Sequence, residues 1–227
     1  MKSIKKVQMF ELLKRNSFFL IPLLIVWLSL IPVFLSFNKI EIHLYLNRFN
    51  SDFADVFFRY VTALGSGLVV VIVGVFYLFI SFRRSFILIS SGLLAGLLVQ
   101  VQKRLIFPGM LRPFMYLKGT AGFHIVENID LHANYSFPSG HSATAFALCF
   151  SFAAFSGRPW LKFMLLVLSG LIAFSRIYLS QHFLIDVYFG SMTGVLSAGI
   201  MYHYICRIRT GWIDGSVYGM LKRDKGK

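Results

Sequence analysis

The sequence predicts an all-α, integral membrane six-helix bundle, and three observations predict it. Hydrophobic residues fill 57% of the 227 positions and charged residues only 14%, with a mean hydropathy of +0.70, whereas a soluble domain carries about 25% charge. The apolar residues fall in long runs, and a helix of roughly 20 such residues crosses a hydrocarbon core about 30 Å thick. Lysine and arginine gather at the ends of those runs. A single membrane domain over residues 1–227 is expected, with no separate soluble one.

Taken in order, the apolar runs are Ser17–Phe37, Gly67–Phe82, Ser85–Val101, Ser142–Ser156, Leu161–Ser175 and Leu184–Ile205. Several are shorter than a full span, so their helices are expected to extend into the flanking segments. Lys2, Lys5, Lys6, Lys14 and Arg15 precede the first run in the manner of a secretory signal. That run lacks a small-residue cleavage site and is long enough to span, so it is read as a retained first helix. Before the second run, Phe53, Val56, Phe57, Tyr60, Val61 and Leu64 recur at helical spacing between Asp52 and Gly65. This pattern fits an amphipathic helix in the membrane interface, or equally the first turns of a long second helix. Gly92 with Gly96, and Gly190 with Gly194, have the small-xxx-small spacing that lets helices approach closely, and packing is their expected role.

The charge balance of +14 arises from 23 Lys and Arg against 9 Asp and Glu. In a soluble protein this excess points to nucleic acid. Here the cations flank apolar runs, which argues for topology control and anionic headgroups and against nucleic acid. With both termini cytoplasmic, 15 of the 23 cations fall on that side, among them Arg83, Arg84, Arg158, Lys162 and the C-terminal Lys222, Arg223, Lys225 and Lys227; 8 fall on the other. The loops after the first, third and fifth runs then face outward. Cys149 and Cys206 fall in or at the end of apolar runs and suggest neither a disulfide framework nor a metal site.

Three polar clusters interrupt the apolar chain, and that topology puts all three at one outer membrane edge. Lys103, Arg104, Arg112 and Pro113 follow the third run; Pro138, Ser139, Gly140 and His141 enter the fourth; Ser175, Arg176, His182 and Asp186 bridge the fifth and sixth. Together they supply what cleavage of a phosphate ester needs: fixed cations for the dianion, a nucleophile, and an acid for the leaving oxygen. His182 and Asp186 are four apart, hence on one helical face if the sixth helix starts early. Asp186 would then fix the tautomer of His182 and free its other nitrogen to attack phosphorus. His141 is the natural general acid. Ser139 and Gly140 offer a hydroxyl and an unobstructed backbone N–H to phosphate oxygens.

On these residues the chain resembles the type 2 phosphatidic acid phosphatase superfamily, whose fold and histidine chemistry are shared with vanadium haloperoxidases. The PSGH motif is matched by Pro138 to His141. The motif SR, five residues, H, three residues, D is matched by Ser175, Arg176, His182 and Asp186. The remaining motif, a lysine, six residues, then RP, is met only at Arg112 and Pro113: Leu105 stands in the lysine position, Lys103 two residues early and Arg104 one. Lys103 is taken as the phosphate ligand, with the extra residues accommodated around Pro108 and Gly109.

The resemblance implies a metal-free hydrolase without cofactor that passes through a phosphohistidine on His182. Lys103, Arg112, Arg176, Ser139 and the N–H of Gly140 would hold the phosphoryl group. It implies phosphorylated lipid substrates: undecaprenyl diphosphate, phosphatidylglycerophosphate, phosphatidate or lipid A phosphates, drawn from the membrane lipids around the bundle. A lipid phosphotransferase of the same fold and a non-enzymatic transporter are the competing classes, and oligomeric state is left open. His43, His124 and His132 fall in outer loops and are read as solvated side chains, not metal ligands. Tyr116, Lys118 and Tyr135 fit interfacial anchors as well as headgroup contacts.

Overall fold

The structure, a computed structural model, describes residues 9–224; of the cations counted above, Lys2, Lys5, Lys6, Lys225 and Lys227 lie outside the described residues. Among those described the chain is helical, with no strand. The helices are α1 (Met9–Arg15), α2 (Ser17–Ser36), α3 (Lys39–Asn47), α4 (Asp52–Val61), α5 (Gly67–Leu78), α6 (Phe82–Val101), α7 (Pro113–Leu117), α8 (Gly140–Phe155), α9 (Pro159–Tyr178), α10 (Leu184–Ile205) and α11 (Val217–Asp224). A helix covers each of the six apolar runs. Four of them, α2, α6 with its extension to Ile106, α9 and α10, are each long and apolar enough to cross a membrane. A fifth span arises if α4 and α5 are taken together across their 56° bend, and apolar α8 has only 16 residues.

The shortness of α8 follows from its place as the axis of the bundle. Twelve of its 16 residues are buried, and Phe19, Leu23, Val99, Ile177, Val187 and Ala198 from α2, α6, α9 and α10 pack around it with Phe146 and Phe150. The outward faces of α2 and α5 are apolar instead, with Ile25, Leu28, Leu35, Leu68, Ile72 and Phe76 exposed. A chain that is apolar outside as well as inside suits lipid surroundings, where helices associate through close packing of small residues. α8 supplies such a surface with Gly140, Ala143 and Ala147.

Gly190 and Gly194 meet it. A Cβ on Gly190 would lie 2.5 Å from the Ser139 carbonyl oxygen, and one on Gly194 2.3 Å from that of Ala143. Gly92 packs in the same way, with Val70 Cγ1 2.6 Å from where its Cβ would stand. The expectation fails at Gly96, whose Cβ position has nothing within 4 Å: its spacing is right, but no helix crosses there.

Element boundaries also shift. The α5–α6 turn falls at residues 79–81, ahead of Arg83 and Arg84, and Ser81 caps α6 by accepting from the Arg84 N–H. Between the two readings of residues 51–64, the structure has a separate helix, α4, capped by Ser51 and followed by a 3₁₀ turn, Thr62–Gly65. Phe58 of α4 packs at a tilt against Phe174 and Tyr178 of α9, with ring centroids 5.4 and 4.6 Å apart.

At the end of the bundle that carries α1 and α11, two cations do more than border the membrane. Arg83 donates to Asp214 Oδ1 at 2.8 Å and to the carbonyls of Ile205 and Ile208 at 2.6 and 2.9 Å, satisfying carbonyls at the C-terminus of α10. Buried Lys162 donates to Asn16 Oδ1 at 2.9 Å. Cys149 and Cys206 are both free thiols.

The packing sets a test. Gly194→Ala should lower stability by about 1–3 kcal/mol through overpacking, read as a fall in the thermal midpoint in detergent. Gly96→Ala should be neutral or raise it slightly, since only helix propensity changes.

Candidate active site

The first cation is set by a change of helical pitch. After Val101, α6 continues as a π turn over Gln102–Ile106, and a π turn absorbs extra residues without ending the helix. Lys103 thereby points inward, 8% exposed. Arg104 is exposed and reaches only Gln100 Oε1, at 3.2 Å. Part of the length expected to be absorbed at Pro108 and Gly109 is therefore taken up one turn earlier, in the π turn. Gly109 still adopts a φ of +78°, where a side chain would be strained.

The segment 107–139 folds back on itself, joining the Arg112 and His141 clusters. The N–H of Arg112 donates to the Ala133 carbonyl and that of Ser136 to the Met110 carbonyl, each at 2.9 Å. The Arg112 guanidinium is clamped by the Asn134 carbonyl at 3.0 Å and by Gln181 Oε1 at 2.7 Å. Gln181 is itself held by its Nε2–H on the Asp130 carbonyl at 2.9 Å.

At the start of α8, the Ser139 hydroxyl accepts from the Ser142 N–H and hydroxyl, at 3.4 and 2.9 Å, and caps the helix. The Ser139 N–H donates to the Asp186 carbonyl at 2.9 Å, which pins α8 to the first turn of α10. Gly140 is the first helical residue, so its N–H is among the donors that have no intrahelical acceptor. The helix therefore presents free N–H groups and the positive end of its dipole beside half-buried His141.

The last cluster departs from expectation in one respect. α10 begins at Leu184, so His182 is not on its face; it lies in the turn between α9 and α10. The N–H groups of Gln181 and His182 both donate to the Arg176 carbonyl, at 2.9 and 3.1 Å, and hold that turn against the end of α9. Even so, His182 Nδ1 comes within 3.5 Å of Asp186 Oδ2. This is ion-pair distance but longer than a formed hydrogen bond, because Oδ2 accepts from the Ser136 hydroxyl and from the Phe183 N–H. Arg176 donates to Thr62 Oγ1 at 2.7 Å and keeps a buried, unpartnered Nε.

All the chosen residues thus converge at one end of the bundle. His141 lies within electrostatic reach of Arg176, His182, Arg112 and Lys103. Burial first, and then the charges of Arg112, Arg176 and Lys103, drives the His182 imidazole well below its usual value. A neutral ring with a free lone pair is what a nitrogen nucleophile requires. Burial also lowers Arg112 from the usual guanidinium value, yet at neutral pH it remains a cation.

Sequence reasoning missed the residues that hold these groups: Ser136 on Asp186, Gln181 on Arg112 and Thr62 on Arg176. Only Gln181, adjacent to His182, carried any positional hint; Thr62 sits in a bend that no motif marks. His43 was expected in a solvated loop and is instead buried in α3, with its Nε2 3.1 Å from Ser180 Oγ and its ring edge-on to Phe183. The α3 capping box of Asn38 and Glu41 was the overlooked signal for that helix. His124 pairs with Asp55 at 2.9 Å, while His132 is exposed.

Residues 84–209, more than half of the chain, match the sequence model of the PAP2 superfamily, and the chain belongs to that superfamily. Among relatives, it is 40% identical over 85 residues to YbjG of Escherichia coli (strain K12), a protein named for a proposed undecaprenyl-diphosphatase activity. That match covers 34% of this chain and 42% of the relative, so it spans less than half of the relative's length. Among solved structures, the crystal structure of Aquifex aeolicus LpxE is similar with a TM-score of 0.60 and 27% identity, covering 71% of this chain and 92% of the other.

Two outcomes follow from the geometry. Gln181→Leu should raise KM for a phosphorylated substrate more than it lowers kcat, because Arg112 loses its side-chain acceptor; steady-state kinetics separates the two. Burial pushes His43 down from 6.5 to about 4. A base whose folded value is lowered leaves stability intact above pH 6.5 and loses it as pH falls from 6.5 toward 4. His43→Gln should flatten that stretch of a stability-against-pH curve.

Proposed function

We propose that this protein is a lipid phosphatase that removes a phosphate, from a monoester or a diphosphate, through a phosphohistidine on His182. The observation that carries the reading is the meeting of His141, His182 and Asp186 with three buried cations, Lys103, Arg112 and Arg176, at one end of an apolar helix bundle. The superfamily, and relatives such as YbjG, support the same class.

In the proposed reaction, Lys103, Arg112 and Arg176 grip the phosphate oxygens with the Gly140 N–H and the Ser139 hydroxyl, neutralising charge that would repel a nucleophile. Asp186 holds the proton-bearing Nδ1 side of His182, and the free Nε2 attacks phosphorus. As the N–P bond forms, the P–O bond to the lipid breaks, and His141 gives a proton to the leaving oxygen. Water then attacks the phosphohistidine, His141 takes its proton, and inorganic phosphate leaves with His182 restored. No metal is needed in this scheme. A phosphotransferase would replace that water by an alcohol.

The whole chain is read as one membrane domain of six spans, with α8 as the short one and α4–α5 as the bent one. Both termini are placed in the cytoplasm and the site on the periplasmic or outer face, by the distribution of Lys and Arg. A phosphorylated lipid reaches the site from the bilayer; undecaprenyl diphosphate, phosphatidylglycerophosphate, phosphatidate and lipid A are the candidates.

Purified protein assayed against a panel of these lipids in EDTA should release inorganic phosphate. His182→Ala should abolish release, and His141→Ala should slow it by about 10²–10⁴-fold. Loss of activity in chelator would contradict the metal-free scheme, and phosphate appearing on an added alcohol instead of in solution would favour the transferase.

A further inference from the structure

A small cleft, partly open to the surroundings, lies between the end of α2, the start of α3 and the first turn of α10, lined by Phe34, Phe37, Lys39, Ile42, Leu184 and Ile185. Lys39 is its one charged residue. It stands three positions after the last residue of α2, at the depth where the apolar run ends. Its ammonium rests 4.6 Å from the Tyr116 ring centroid and 4.8 Å from that of Phe183, and donates to Tyr116 Oη at 3.3 Å. Among the described residues it forms no ion pair. Glu41, its nearest carboxylate in sequence, is engaged in the α3 capping box, with Oε2 accepting from the Asn38 N–H at 2.9 Å. An ammonium has three N–H donors, and aromatic faces supply no lone-pair acceptor.

We propose that this cleft binds one anionic phospholipid of the surrounding bilayer, with its phosphate on Lys39 Nζ and Tyr116 Oη and the first part of an acyl chain between the apolar walls. The occupant is a lipid and not a soluble anion because every lining residue but Lys39 is apolar, and because α2, which forms one wall, is apolar on its exposed face. We take it as a molecule separate from the substrate because Lys39 makes no hydrogen bond to His141, His182 or Asp186 and contacts Tyr116 and Phe183 instead, though its charge reaches Asp186. Phe183 joins the two places, since its N–H donates to Asp186 Oδ2 at 2.9 Å. The bound lipid would therefore brace the α10 start from behind. This inference needs the bundle to lie in a bilayer and does not depend on the proposed reaction.

Native mass spectrometry of the full chain, titrated with phosphatidylglycerol or phosphatidylcholine in detergent, tests it directly. The wild-type chain should retain one phosphatidylglycerol that phosphatidylcholine does not displace. Lys39→Met should weaken that retention about five- to tenfold, the loss of one cation at the membrane surface, and Lys39→Arg should restore it. Ile185→Trp, which fills the cleft and leaves Lys39 in place, should weaken it as well. Equal retention by wild type and Lys39→Met, or no preference between the two lipids, would overturn the proposal. So would one-for-one displacement of the lipid by a substrate analogue, which would give the cleft to the substrate. Phosphate release enters none of these readouts, so a failure of the proposed reaction would be seen separately.

Discussion

Three cations are buried around a single buried carboxylate. Lys103, Arg112, Arg176 and Asp186 are each at most 9% exposed, and a buried charge is costly unless it is paired. Their partners in the chain are mostly neutral: a glutamine and a backbone carbonyl for Arg112, a threonine hydroxyl for Arg176. The fold thus concentrates positive potential that its own groups do not cancel, and the positive end of the α8 dipole adds to it. A doubly charged anion with several acceptor oxygens is the complement of such a site. Burial, reinforced by the same potential, keeps His182 neutral, so the arrangement that would attract a phosphate also helps prepare the ring that would attack it.

Holding that potential in place requires elements far apart in sequence to meet with little slack. α8 provides the reference because it is surrounded, and α10 lies directly against it where Gly190 and Gly194 leave no side chain between the backbones. The Ser139 to Asp186 backbone hydrogen bond then fixes the His141 segment relative to the His182 segment. Arg112 is brought in by a folded loop, and its position is transmitted through Gln181, next in sequence to His182. Displacement of any one of these contacts would move a charge and a reacting group together.

Much of this was legible in the residues. Apolar runs located the main helices, since hydrophobicity over a length of about 20 residues is a strong signal, and PSGH with the spaced SR, H and D marked two of the three clusters. What escaped had physical reasons. The π turn at Gln102–Ile106 has no sequence signature, so the offset of Lys103 could only be counted, not explained. His43 was misjudged because α3 is short and its hydrophobicity modest; its burial comes from packing against the α9–α10 turn. Thr62, Ser136 and Gln181 are ordinary polar residues whose importance lies in which charged neighbour they touch. Gly96 shows the converse, a correct motif at a place where no partner helix arrives.

The length of α8 carries one more consequence. Sixteen residues make a helix about 24 Å long, short of the roughly 30 Å hydrocarbon layer. A rod of that size cannot touch both surfaces of a bilayer, so one of its ends must lie below a surface; were it the Gly140 end, His141 would sit recessed beside α3, α4 and the 107–139 segment. A lipid headgroup would then have to sink to meet it, and the thickness of the host membrane would set how far.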